Sequence, residues 1–133
     1  MKATRTKVLM VVLDDVVPAN VPDGDVLVVA PALNSRLRHW LSDDDTALRR
    51  ARGRLAAFVE RLERKGFHAE GRVGDSDPLL AITDALVTFH ADEIVLAAGS
   101  EYSNGDARRL AARANKRFGL PTSHTAEPLA YAA

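Results

Sequence analysis

The sequence predicts an α/β domain with a doubly wound, mainly parallel five-stranded sheet and helices on both faces. Three short apolar runs rich in β-branched residues cover residues 8–13, 26–30 and 94–98. They lack the alternation of polar and apolar residues that marks a half-exposed strand, so they indicate strands buried on both faces of a parallel sheet. Helical patterns separate the later runs, and this alternation is typical of a doubly wound sheet.

The composition limits the classes of protein to consider. With 133 residues, 47% of them apolar and 27% charged, the chain fits one domain with a hydrophobic core over residues 1–133. The 18 basic residues balance the 18 acidic ones, so no net field attracts nucleic acid or a membrane. No cysteine is present, which excludes disulfides, cysteine-bound zinc and thiol catalysis. No apolar run is long enough to span a bilayer or act as a signal peptide, and we expect a cytoplasmic protein.

The first long helix is predicted between Ser42 and Gly66. Ser42 and Asp45 have the spacing of a capping box, and Gly66 suits the position after a helix end. The apolar residues at helical spacing within it are Leu48, Leu55, Phe58, Val59 and Leu62.

The second half of the chain continues the alternation. Residues 67–73 are predicted as an edge strand, and Asp77 and Pro78 as the cap and first residue of the next helix. Its core face consists of Leu79, Ile82, Leu86 and Phe89. A strand at 94–98, a helix at 106–118 and a fifth strand at 122–125 follow, and residues 126–133 are predicted to be a loose tail.

The connector between the first two strands, residues 14–25, is not predicted to be helical. It contains Pro18 and Pro22, and prolines this close together are incompatible with a regular helix. An extended connector of about eleven residues reaches about 36 Å, against about 17–20 Å for a typical strand, so it can cross over to a parallel neighbour. A hairpin with an antiparallel first strand is the alternative.

The missing crossover helix has a consequence for the sheet. The first strand, apolar on both sides, is expected to show part of one face to water. We therefore expect self-association through that face. The alternative is that the tail or the connector folds over the gap.

A family resemblance is first recognised in residues 71–99. The sequence GDSDPLLAI from Gly74, followed by Ala91-Asp92 and an apolar strand, resembles the third-strand, third-helix and fourth-strand segment of universal stress proteins. The usual pattern there is a Gly-Asp-Pro turn, a helix, and an Ala-Asp pair leading into a strand and a glycine. Upstream, residues 26–40 look like a small branch of the same superfamily, and the resemblance covers roughly residues 26–125.

The resemblance implies a sheet order of 3-2-1-4-5, a homodimer and a role in stress response. Many members bind ATP or AMP through Gly-x2-Gly-x9-Gly-Ser/Thr after the fourth strand, with an Asp at the end of the first. Gly99 fits the first glycine, and Asp14 or Asp15 fits the Asp. However, Tyr102 occupies the place of the second glycine and no Gly-Ser or Gly-Thr pair follows at the right distance. ATP and AMP are therefore candidate ligands rather than established cofactors.

In an open α/β sheet the ligand crevice lies beyond the carboxyl ends of the strands, where the strand order reverses. With the implied order, this point lies between the first and fourth strands. Three segments converge on it: residues 14–15, 31–40 and 99–106.

The loop after the fourth strand leads into a helix, whose first amides can hold an anion. Its candidate ligand-binding residues are Gly99, Ser100, Ser103 and Asn104. Glu101 and Asp106 would repel a phosphate unless a cation intervened. The alternative is a capping loop, with Asn104 or Asp106 as the N-cap.

The other two segments offer acidic and basic groups. Asp14 and Asp15 can accept from a ribose or hold a hard cation, or they simply begin a solvated loop. Asn34, Arg36 and Arg38 suit a phosphate or carboxylate. Asn34, Arg36 and Arg38 belong to a polar cluster whose other members are Ser35, His39 and Trp40. The alternative is a surface loop paired with the acids at 43–45.

No catalytic or metal-binding constellation is recognised. His68, His90 and His124 lack metal-ligand spacing, and neither a nucleophile elbow nor a phosphate-binding GxxxxGK[ST] loop occurs. We therefore expect a non-enzymatic, universal-stress-like protein that binds a nucleotide or small anion weakly. The alternative is a ligand-free structural or protein-interaction domain that has lost the ATP motif. A nucleotide-hydrolysing enzyme would need a nucleophile or an activated water, for which the sequence offers no candidate residue.

Overall fold

The computed structural model describes residues 6–13, 16–17, 24–33, 44–98, 104–124 and 127–128. The strands are β1 Thr6–Val12, β2 Val16–Val17, β3 Gly24–Leu33, β4 His68–Asp75, β5 Glu93–Ala97, β6 Thr122–His124 and β7 Glu127–Pro128. The helices are α1 Asp44–Arg64, α2 Pro78–Thr88 and α3 Asn104–Phe118. None of the described helices is both long and apolar enough to cross a membrane.

Five strands form one parallel sheet in the order β4-β3-β1-β5-β6. Counted along the chain within this sheet, the order is 3-2-1-4-5, as the resemblance implied. One core cluster joins the sheet to α1, and a second joins its other face to α2 and α3. The predicted doubly wound α/β architecture is confirmed.

Strand β1 occupies the middle of this sheet, between β3 and β5. Val8, Met10 and Val12 belong to the cluster that includes α1, whereas Leu9 and Val11 belong to the cluster that includes α2 and α3. Each of these side chains is 0% exposed in the single chain. The expectation that β1 shows one face to water is therefore wrong, because the chain covers both of its faces. The self-association hypothesis based on that face loses its premise.

The connector after β1 crosses over rather than turning back as a hairpin. Strand β1 is parallel to β3, with Val8 opposite Val26, and the described part of the connector contains the short strand β2 and no helix. Strand β2 pairs antiparallel with β7, which lies in the predicted loose tail. The described part of the tail is thus paired. The burial of β1 agrees with the alternative in which the tail or the connector folds over the gap.

The end of α1 follows the sequence signal at Gly66. The backbone N–H of Gly66 donates to Glu63 O at 3.0 Å and that of Phe67 to Leu62 O at 3.0 Å. This is the Schellman pattern, in which the residue after the cap is left-handed, and Gly66 has φ of 95°. Phe67 and Leu62 then pack in the same core cluster. The turn therefore directs the chain from α1 straight into β4.

Helix α2 begins as predicted, with Asp77 as its N-cap and Pro78 in the first turn. Helix α3 begins earlier than predicted, at Asn104, so that Asp106 lies inside its first turn and is not its cap. Both helices bury the faces that pack on the sheet. The buried residues are Leu79, Ala81, Ile82, Ala85, Ala107, Leu110, Ala111 and Ala114.

Candidate functional site

The order in which the chain adds strands to the sheet reverses between β1 and β5. From β1 the chain builds outward through β3 to β4, then returns to the other side of β1 for β5 and β6. Beyond the end of β1, the backbone N–H of Leu13 still donates to Ala97 O at 2.9 Å. The two strands therefore stay together up to their carboxyl ends, where open α/β sheets bind ligands.

Most of the residues predicted from the sequence for this crevice lie outside the described residues, and they stay predictions. They are Asp14, Asp15, Asn34, Arg36, Arg38, Gly99, Ser100 and Ser103. Asn104 is the first residue of α3, so it lies at the amino end of the helix that follows β5. Within the described parts of the chain, no three histidine, aspartate or glutamate side chains come together to hold a metal ion.

The turn between β4 and α2 lies at the same edge of the sheet. The backbone N–H of Asp77 donates to Oδ1 of Asp75 at 2.9 Å, and the carboxylate of Asp77 accepts from the backbone N–H of Leu79 at 3.1 Å. Both carboxylates thus shape the turn and cap the helix. Their negative charge is partly offset by the amides they accept from.

A cleft of about 260 Å³ separates the start of α2 from the first turns of α3. Helix α2 packs on β4, β3 and β1, whereas α3 packs on β6. The space between the two helices therefore overlies the boundary between β1 and β5. The cleft is lined by Asp77, Pro78, Leu79, Asp106, Arg109, Leu110 and Arg113.

The charges in this cleft are not equivalent. Asp106 and Arg109, one turn apart on α3, form an exposed ion pair. Arg113, one turn further along, makes no ion pair with any residue in the described part of the chain. Asp77 is occupied by its capping bond to Leu79. Arg113 is therefore the cationic group in the cleft that is available to an anion.

A second, shallower groove of about 420 Å³ continues from the cleft along α3. Leu79 and Arg113 line both, and Lys116 and Arg117 line only this groove. The chain as a whole has no net charge, but the surface along this groove is basic. Sequence reasoning missed it, although basic residues at 109, 113, 116 and 117 have the spacing of one helical face.

A third groove, which we call the edge groove, lies between α1 and β4 and measures about 350 Å³. It is lined by Arg52, Leu55, Ala56, Val59, Glu60, Glu63 and Gly71. A Cβ atom at Gly71 would come within 2.8 Å of Cγ of Leu55, so only glycine lets this leucine lie directly on the strand. The edge groove lies at the β4 border of the sheet, whereas the strand order reverses between β1 and β5.

Comparison with known protein families gives no match, and comparison with characterised proteins gives none either.

Proposed function

We propose that the protein binds a small anion, such as the phosphate end of a nucleotide, in the cleft between α2 and α3, and that it does so without catalysis. The observation that carries the proposal is Arg113, a cation without an ion pair in the described chain, lining a cleft above the reversal point of the sheet. An arginine fork matches the geometry of phosphate and carboxylate groups.

The size of the cleft favours a small ligand. Pockets for drug-sized ligands measure about 300–1,000 Å³, and this one measures about 260 Å³. A phosphate group fits such a volume, whereas a whole ATP molecule needs additional room. The candidate residues Asp14, Arg36 and Ser100 stay sequence predictions for the rest of a nucleotide site.

The biological setting is part of the same proposal. A cytoplasmic protein with this activity, similar to universal stress proteins, would respond to the level of a nucleotide or another phosphate compound in stress. The resemblance in residues 74–96 and the order of the sheet support this setting. ATP and AMP are the ligands to try first.

Calorimetric titration with Mg-ATP, AMP and inorganic phosphate tests the proposal. We expect binding at micromolar to millimolar strength, and we expect Arg113→Gln to weaken it roughly tenfold or more, because a charge-assisted hydrogen bond contributes about 1.5–3 kcal/mol. Arg108→Gln is the matched control, since Arg108 is exposed on the same helix and lines neither cleft nor groove. No heat with any of the three ligands, or an equal loss in both variants, would contradict the proposal.

The second candidate function is a ligand-free protein-interaction domain. The observation that favours it is the edge groove, which has apolar side chains beside an edge strand. This function predicts that none of the three ligands binds and that association with another protein surface depends on β4.

A further inference from the structure

Strand β4 is a border of the sheet. It pairs with β3 on one side, and no strand in the described part of the chain pairs with its outer side. Ala69 and Val73 pack towards α1, whereas the Arg72 guanidinium lies on the opposite face and donates to Oγ1 of Thr88 in α2 at 3.2 Å. An eight-residue strand with a free edge is a template for pairing with another strand.

We propose that two copies of this chain associate through β4, in an antiparallel pairing centred on Gly71. In this register Glu70 of each copy lies opposite Arg72 of the other. Both side chains are exposed and share the face of the sheet that packs on α2, so two complementary charge pairs flank the two-fold axis. The interface goes beyond the anion-binding proposal and does not depend on it.

Neighbouring registers are disfavoured by the same two charges. With the two-fold axis at residue 70, Glu70 lies opposite Glu70 of the other copy. With the axis at residue 72, Arg72 lies opposite Arg72 of the other copy. Like charges directly opposite each other destabilise a strand pair. If the register between the two β4 strands slipped by one residue, the side of the joined sheet that carries α1 in one copy would carry α2 in the other. The charge pattern therefore selects the register centred on Gly71.

The helices above this edge have the spacing that such a dimer requires. Helix α1 packs on β3 and β4, so its axis lies about half a strand spacing inside β4. Across a β4–β4 junction the two copies of α1 would be about two strand spacings apart, or ~9.6 Å. Packed helices have interaxial distances of about 8–10 Å. The joined sheet would therefore bring the two α1 helices into contact along the edge groove.

The edge groove is itself complementary to a reversed copy. Arg52 lies near one end and Glu63 near the other, with Ala56 and Val59 between them. An antiparallel arrangement sets the basic end of one groove against the acidic end of the other. The small side chain of Ala56, which is exposed in the single chain, permits a close approach. Glu60 and Glu63 are the acids at the second end of the groove, and Glu60 also pairs with Arg64 at 3.1 Å.

Sedimentation equilibrium over a concentration series tests the interface. The wild-type chain is expected to reach twice the monomer mass. Glu70→Arg and Arg72→Glu each replace two attractive pairs with two repulsive ones and should raise the dimer dissociation constant roughly tenfold or more. An equimolar mixture of these two variants restores every charge pair across the junction, so we expect a heterodimer from two chains that do not self-associate.

The mixture also separates the interface from effects on folding, because both variants must be folded to recover the dimer mass. Arg108→Glu is the control with the same change of charge as Arg72→Glu: Arg108 is exposed on α3, which packs on β6 at the other border of the sheet, so this variant should remain dimeric. A wild-type chain that stays monomeric throughout the series would overturn the proposal. So would single variants as dimeric as the wild type, or a mixture that stays monomeric.

Discussion

Strands β1 and β4 belong to the same parallel sheet, two positions apart, but they meet very different surroundings. In β1 the side chains of residues 8–12 are all 0% exposed, and the sequence there is a continuous apolar run. In β4, polar residues alternate with small and apolar ones, and Glu70, Gly71 and Arg72 are exposed. The difference shows that the pattern of a strand reflects how many of its sides are covered. A strand with two neighbours and two covered faces needs apolar residues throughout, whereas an edge strand needs them on its packed side only.

The largest expected effect comes from the centre of the sheet. Leu9→Ala removes a fully buried side chain that packs in the cluster with α2 and α3, so we expect the free energy of unfolding to fall by about 2–5 kcal/mol. Chemical denaturation followed by circular dichroism measures it. Val87→Ala is the control, since Val87 is 72% exposed, and it should change stability by no more than about 0.5 kcal/mol. Equal effects of the two substitutions would mean that β1 is not the covered strand described above.

A smaller effect is expected at the edge strand. Gly71→Ala would bring a Cβ atom within 2.8 Å of Cγ of Leu55, so we expect a loss of about 1–3 kcal/mol from overpacking. This is the opposite of the usual stabilising effect of replacing glycine in a strand.

A double-mutant cycle with Leu55→Ala shows whether this contact is the cause. Removing the leucine side chain gives the new methyl group room, so the combined loss should be smaller than the sum of the two single losses. Additive losses, or a stabilising Gly71→Ala, would show that β4 and α1 are not in close contact at this point.

The smallest effect concerns the turn by which β4 leads into α2. Asp77→Ala removes the carboxylate that accepts from the backbone N–H of Leu79, and we expect a loss of about 0.5–2 kcal/mol in thermal or chemical unfolding. Ser76→Ala, an exposed neighbour in the same turn, is the control and should be nearly neutral. If both substitutions have the same effect, the cap at Asp77 does not stabilise α2.

Local signals in the sequence predicted most of the architecture. The glycine after α1 and the Asp-Pro pair before α2 act within a few residues of themselves, and both have the predicted role. The edge strand was recognised from its alternation, although it extends to Asp75. The resemblance implied the sheet order, and that order identified the point of reversal between β1 and β5.

The candidate site was less accessible to sequence reasoning. The arginines of α3 resemble a solvated helix face when the helix is considered alone. Arg113 becomes a candidate ligand-binding residue only because α2 begins beside it, and α2 is separated from α3 in the chain by β5. The edge groove was missed for the same reason, because its residues on α1 and β4 do not indicate a groove when each element is considered alone.

The amino-acid pattern alone was sufficient to predict which segments are strands or helices, where several of them end, and which of their faces are apolar. These features depend on periodicity and on hydrogen bonds between residues close in the chain. The folded chain was needed to show that both faces of β1 are covered, that Val16 pairs with Pro128, and that α2 and α3 enclose a cleft with Arg113. Such contacts join distant segments, and their free energy depends on burial and charge after the chain has folded, which no local pattern records.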